Sequence, residues 1–267
     1  MIGTLAFGDG GVDPLGLGTW RIGLGALLLG ALALSLFGRG VIPAREDLPR
    51  VFACAILGVA LNQGLFLTGL ALSSPMNAGL VLCLIPVFTY GFAVLLGQEA
   101  LSGRRALGIG LALLGVTPLV FPDGPNGLGE HGLGNLFMVG NAASYSLYLV
   151  LGKPLLRRYP PLAVTAWAYL GSLVALPFFA WSSRLIPSSG VAWAALAYVV
   201  IGPTILGYLL NLFALARVRA STTAVWVYAQ PIIAGLGAWW VFSERPGPGM
   251  ALAALALFAG IGLVARR

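Results

Sequence analysis

Four stripes of polar and aromatic residues recur at helical spacing along an otherwise apolar chain. Asn62 and Phe66 stand four apart with Gln63 beside them, and Asn141, Tyr145 and Tyr148 occupy i, i+4 and i+7. Thr204, Tyr208 and Asn211 repeat that spacing, and Thr222, Trp226 and Gln230 sit at i, i+4 and i+8. Residues so spaced share one face of a helix. Amides and hydroxyls exchange hydrogen bonds and aromatic rings offer flat apolar surface, so the chemistry available is recognition of a small solute rather than bond making. Arg21 is the one base inside an apolar run. Its planar cation suits a carboxylate or phosphate; the competing reading is an arginine whose stem lies along the helix and whose head reaches the nearest water. The stripes have a structural alternative too, as hydrogen bonds between helices. Their occurrence on several separate runs favours a shared central cavity.

The elements that must hold these stripes follow from composition. Of 267 residues, 59% are hydrophobic and 9% charged, whereas a soluble domain carries about 25% charge. The mean hydropathy is +0.94. Nine apolar runs cover 15–37, 51–72, 77–96, 106–121, 134–151, 162–181, 191–215, 222–242 and 249–265. Such runs approach the roughly 20 residues that cross a bilayer as a helix. They are continuous rather than alternating, which excludes a β-barrel and predicts an all-α integral membrane fold. The first run is long, follows Asp9 and Asp13 and lacks a basic leader, so no cleavable signal peptide is expected.

Charge placement sets orientation. The breaks after alternate runs hold twelve basic residues, from Arg39, Arg45 and Arg50 to Arg266 and Arg267, while the other breaks hold only Arg184 and Arg245. That asymmetry predicts a cytoplasmic C-terminus in the inner membrane, with the segment before Leu15 outside. The net charge of +7 is therefore a topology signal, and no nucleic-acid partner is expected; the partners are a small-molecule solute and membrane lipid. The acids Asp9, Asp13, Glu46, Asp47, Glu99, Asp123, Glu130 and Glu244 all fall in breaks. No intramembrane carboxylate is available to relay protons or hold a cationic drug. Cys54 and Cys83 lie in apolar runs and His131 stands alone, so neither a metal, a cofactor, a disulfide nor an enzyme centre is expected.

The chain also repeats itself. An ungapped shift of 145 positions pairs Leu61 with Leu206, Leu70 with Leu215, Pro86 with Pro231, Glu99 with Glu244 and Gly115 with Gly260. A proline inside an apolar run, followed thirteen residues later by a glutamate at its end, occurs twice. This predicts two units, 1–121 and 134–267, joined by an extracytoplasmic connection at 122–133. The second holds five runs and the first four, so ten spans are expected and the first helix of repeat one is missing; it would map from about fourteen positions upstream of Met1 to near Leu5, and either the sequence begins too late or a helix has been lost. An odd number of spans per unit inverts one relative to the other, an arrangement found in transporters. Pro86 and Pro231 each forgo a hydrogen bond to the carbonyl four residues back and are expected to bend their helices. Glu99 and Glu244 are expected to cap or anchor helix ends.

The pattern resembles the EamA-type drug/metabolite transporter superfamily. In the first unit the matching residues are Thr19, Trp20, Arg21 and Ile22, then Gly69, Leu70 and Ala71, the stretch from Ser74 through Pro75, Met76 and Asn77 to Ala78, and Pro86 and Glu99. In the second they are Ala214, Leu215, Ala216, the stretch from Ala220 through Ser221, Thr222 and Thr223 to Ala224, Pro231 and Glu244. The resemblance implies ten helices in two five-helix units and movement of small metabolites, amino acids prominent among them. Asn77 joins the substrate-binding candidates Arg21, Asn62, Gln63, Phe66, Asn141, Tyr145, Tyr148, Thr204, Tyr208, Asn211, Trp226 and Gln230. The expected function is amino-acid export by alternating access. Alternatives are a carrier for nucleotide-derived or adenosyl-methionine-type solutes, which would need more bases facing the cavity than Arg21, a lipid-carrier flippase or membrane enzyme, and a non-transporting bundle.

Overall fold

The computed structural model describes residues 11–38, 42–120, 129–181, 184–207, 210, 240 and 248–265. Among them every regular element is helical. Helix α1 (Pro14–Phe37) begins with proline in the first turn, where an amide hydrogen has no helical partner in any case. It ends at Gly38, whose φ of 55° favours a residue without Cβ. A 3-10 turn (Arg45–Asp47) leads into α2 (Leu48–Ala55), a π-helical segment (Ile56–Ala60) and α3 (Leu61–Ala71). Helix α4 (Pro75–Leu82) is capped by Ser74, whose Oγ accepts from the Asn77 amide at 3.2 Å.

The apolar run over 77–96 does not form one helix. Pro86 has no N–H for the Leu82 carbonyl; α4 stops there, Cys83 and Leu84 turn with amide bonds to Leu80 and Val81 at 3.1 and 3.0 Å, and α5 (Ile85–Leu95) restarts. The remaining described helices are α6 (Gly103–Val120), α7 (Gly129–Leu156), α8 (Pro161–Ser172), α9 (Leu176–Ala180), α10 (Gly190–Val199) and α11 (Pro248–Ala265). A 3-10 turn (Leu173–Ala175) joins α8 to α9, and a second π-helical segment (Val200–Leu206) prolongs α10. Four described segments are long and apolar enough to cross a membrane: Pro14–Phe37, Arg45–Ala71, Asn77–Leu95 and Pro161–Ala180. Leu27, Leu34 and Phe178 on these segments are exposed, as side chains solvated by acyl chains would be.

The two π-helical segments sit at related places. The shift of 145 carries Ile56–Ala60 onto residues 201–205, inside the second segment. Well under 1% of residues in globular proteins are π-helical. At the second segment Pro203 supplies a cause, since it cannot bond the Val199 carbonyl; the first contains no proline.

Packing divides the chain into two compact units, each drawing on both halves of the sequence. One comprises Ile2–Leu67 with Leu151–Ala224. Here the small residues Gly18, Gly25, Ala26 and Ala33 of α1 are buried. A Cβ at Gly25 would lie 2.5 Å from the Tyr169 ring of α8, and one at Gly18 would lie 2.7 Å from Phe179. Val12, Leu17, Leu67, Leu196, Val199 and Val200 form its core, with Trp20, Leu24, Phe66 and Ile205 packed against it. The other unit comprises Thr68–Val150 with the described part of Val225–Arg267. In it α7 presses on the end of α3, where a Cβ at Gly69 would lie 3.0 Å from the Gly134 carbonyl. Gly134 in turn abuts the Leu72 carbonyl. Helices α6 and α11 approach as closely at Gly260. Lipid tails are as apolar as leucine, so such glycine contacts, which let backbones approach, supply cohesion that hydrophobic burial supplies in water.

Candidate functional site

In the unit built on α1, the guanidinium and the π-helical segment meet. Thr204 is fully buried, and its hydroxyl donates to the Val199 carbonyl at 3.2 Å. Arg21 Nε donates to the same Thr204 Oγ1 at 3.2 Å. Arg21 is half-buried, and among the described residues its two Nη groups have no hydrogen-bond or ionic partner. The guanidinium is thus held by its inner nitrogen on Thr204. Trp20, one residue earlier, is anchored by Nε1 to the Leu185 carbonyl at 2.7 Å and packs edge-on against Trp193 at 6.0 Å. Asp13 at the start of α1 pairs with the segment before α10, accepting from the Arg184 amide at 2.6 Å and donating its own amide to the Arg184 carbonyl at 3.2 Å. These ties fix the height and rotation of α1, and so where Arg21 sits.

Gln63 is buried and Asn62 and Phe66 are half-buried on α3; Phe66 packs against the core of this unit. Asn62 is engaged in a polar interaction. Tyr208, Asn211, Trp226, Gln230, Pro231 and Glu244 lie outside the described residues.

The second unit carries the other stripe. On α7, Asn141 is buried, and the rings of Tyr145 and Tyr148 stand 5.5 Å apart at 41°. Ser146 ties this helix to the proline break: its Oγ lies 2.8 Å from the Ile85 carbonyl and 2.7 Å from the Ala142 carbonyl. At the other end, Ser73 Oγ donates to Asn135 Oδ1. Two hydrogen bonds thus join the segment 73–85 to α7, one at Asn135 and one at Ser146. Asn77 is 7% exposed, and its Oδ1 has no hydrogen-bond partner. Glu99 is exposed and pairs with Arg105 at 3.2 Å, and Arg105 covers the Tyr90 ring at 5.0 Å.

Sequence spacing did not reveal the polar cluster at Asp47. That carboxylate, expected in a solvated break, is 3% exposed. Tyr159 donates to its Oδ2 at 2.7 Å, Arg158 Nη1 lies 3.1 Å away, and Arg158 Nη2 donates to Glu46 at 2.6 Å. Tyr159 in turn accepts from the Ala44 amide at 3.0 Å and packs edge-on against Trp167 at 4.7 Å. The hydrogen bond to Glu46, then the charge of Asp47, hold the Arg158 guanidinium above the ordinary arginine range, so it stays charged at any physiological pH. The partners are more than a hundred residues apart in sequence, and no local pattern joins them. Tyr159→Phe strands the Ala44 amide and leaves the buried Asp47 carboxylate to Arg158 alone. It should cost about 2 kcal/mol, read as a lowered melting temperature in detergent with solute transport retained at low temperature.

The profile of the EamA-like transporter family matches residues 6–121 and again 132–266. An uncharacterized transporter of Archaeoglobus fulgidus is 30% identical over 208 residues, covering 76% of this chain and 74% of its own. A probable terminal-alkyne amino-acid exporter of Streptantibioticus cattleyicolor is 27% identical over 241 residues, covering 89% of this chain and 80% of its own. A protein known from a crystal structure shares the fold with a TM-score of 0.64 at 22% identity, over 98% of this chain and 90% of its own.

Proposed function

Because the chain belongs to the EamA-like transporter family, we propose that it is an inner-membrane carrier exporting amino acids or closely related zwitterions by alternating access. It is a transmembrane transporter and not an enzyme. The observation that carries the choice of solute is the Arg21 fork, held on Thr204 with its Nη edge unoccupied by any described residue. A half-buried cation without a carboxylate partner attracts an anionic group, and a lone carboxylate on an apolar or aromatic body is what an amino acid presents. The described carboxylate side chains, Asp13, Glu46, Asp47 and Glu99, all lie at segment ends, which disfavours a purely cationic cargo. The amino-acid exporter among the relatives supports the same class.

In this reading the units 1–121 and 134–267 are inverted repeats that exchange shapes about a mid-membrane site, joined outside the cell by 122–133, with the C-terminus in the cytoplasm. The repeated π-helical segments and the break at Pro86 support it by providing places where helices bend with little loss of hydrogen bonding. By their spacing in the sequence, Tyr208, Asn211, Trp226 and Gln230, which lie outside the described residues, stay candidates for contact with the solute. Counterflow of labelled amino acids into liposomes preloaded with unlabelled ones tests the proposal. Saturable counterflow for a subset of the twenty is expected; none for any of them, with the protein folded, overturns it.

A further inference from the structure

Two breaks of the chain meet at one end of the unit built on α1. Arg158 Nη2 donates to Glu46 at 2.6 Å and Nη1 lies 3.1 Å from the buried Asp47, while Tyr159 bonds both Asp47 and the Ala44 amide. The start of α2, flanked by Arg45 and holding Arg50, is thereby pinned to the end of α7, which holds Lys153 and is followed by Arg157. All of these residues belong to the compact unit of Ile2–Leu67 and Leu151–Ala224. Both acids of the cluster are spent on Arg158. Arg45, Arg50, Lys153 and Arg157 are exposed, and among the described residues none of them has a carboxylate partner.

An orientation signal needs bases near the ends of spans and nothing more. It does not need two breaks more than a hundred residues apart to be clamped by a buried carboxylate. What the clamp adds is a preset group of four bases with no carboxylate of the chain to neutralise them. Their charge calls for an anion, and their surroundings say which kind. Leu48 and Phe52, four apart on one face of α2, are exposed beside Arg45 and Arg50, and Leu156 is exposed beside Arg157. The segment Arg45–Ala71 that starts here is long and apolar enough to cross a membrane. Bases therefore stand where headgroups lie and apolar side chains where acyl chains begin. A free anion or an acidic protein would use the bases alone. We propose that this end of the unit binds an anionic phospholipid, its phosphate held by bases from both breaks and an acyl chain lying along Leu48, Phe52 and Leu156. Clusters of bases beside membrane spans recognise anionic headgroups in this way, and the assignment is independent of the solute carried.

The test uses the full chain purified in neutral detergent, with phosphatidylglycerol added in mixed micelles and bound lipid counted by native mass spectrometry. Phosphatidylcholine with the same acyl chains and glycerol 3-phosphate are the comparison ligands. Phosphatidylglycerol should bind saturably and at least about tenfold more tightly than phosphatidylcholine, and glycerol 3-phosphate should not displace it. Lys153→Gln combined with Arg157→Gln should weaken phosphatidylglycerol binding about 25-fold, from about fivefold for each base removed, and leave phosphatidylcholine unchanged. Arg104→Gln combined with Arg266→Gln removes the same charge from other breaks and should keep wild-type affinity. Equal weakening by the two pairs would mean diffuse attraction to net charge and overturns the site, as does wild-type affinity in the first pair. Displacement by glycerol 3-phosphate at a concentration equal to that of the lipid overturns the assignment to a lipid. Should the first pair disturb insertion, because these bases also orient the chain, Arg45→Gln and Lys153→Gln decide as single variants. Each is expected to weaken binding about fivefold, and wild-type affinity in both overturns the assignment.

Discussion

Arg21→Ala should reduce amino-acid counterflow about 100-fold while leaving the melting temperature within a few degrees of wild type. The functional estimate comes from the loss of a charge-assisted, two-pronged contact to a carboxylate, about 3 kcal/mol. The structural loss is smaller. Among the described residues Arg21 makes one hydrogen bond, from Nε to Thr204, worth about 1 kcal/mol to a neutral hydroxyl. Thr204 keeps its contact with Val199, so the π-helical segment should survive. Arg21→Lys retains the charge without the fork and should fall between the two. Were Arg21 only an anchor reaching the membrane surface, alanine would lower transport and melting temperature together and lysine would restore both. Equal, proportionate losses would therefore refute the solute-binding role.

The second large effect is one of packing. Gly260→Ala should destabilise the protein by about 3 kcal/mol, the upper end of overpacking costs, and Gly262→Ala on the same helix should be neutral or slightly stabilising. A Cβ at Gly260 would meet the Gly108 carbonyl at 2.5 Å, the Ala112 amide nitrogen at 2.6 Å and its methyl at 2.8 Å. Two of these atoms are backbone of α6 and cannot rotate away, so the helices would have to separate. At Gly262 a Cβ meets nothing within 4 Å, and alanine is the better helix former by up to about 1 kcal/mol. Thermal unfolding of both variants in the same detergent provides the comparison. Similar melting temperatures for the two would show that α6 and α11 do not pack through this glycine.

Much of the molecule could be read from residue order because membrane solvent imposes simple rules. Backbone groups must bond within their own segment, so long apolar runs are helices: α1 starts within one residue of its run, while the 45–71 segment and α7 reach five or six residues beyond theirs. Pro86 interrupts its run because a missing N–H is a local property. The spacing that groups Asn141, Tyr145 and Tyr148 is likewise local, and all three share α7. Asp47 shows where such reading stops. Its neighbours in sequence describe a polar break; its burial depends on Tyr159 and Arg158, which arrive from the other half of the chain.

By itself, then, the order of residues determined the helical membrane class, the asymmetry of basic charge and the repeated proline and glutamate, and it singled out Arg21 and the polar stripes as candidates to meet a solute. Each depends on composition or on spacing of a few residues, which the 3.6-residue turn converts directly into a face. The tertiary structure alone decided that Arg21 rests on Thr204, that Asp47 is buried, and that each compact unit mixes segments from both halves. Those are contacts between helices distant in sequence. In a membrane they are set by close packing at positions such as Gly25, Gly134 and Gly260, and the order of residues does not name the partner each glycine meets on another helix.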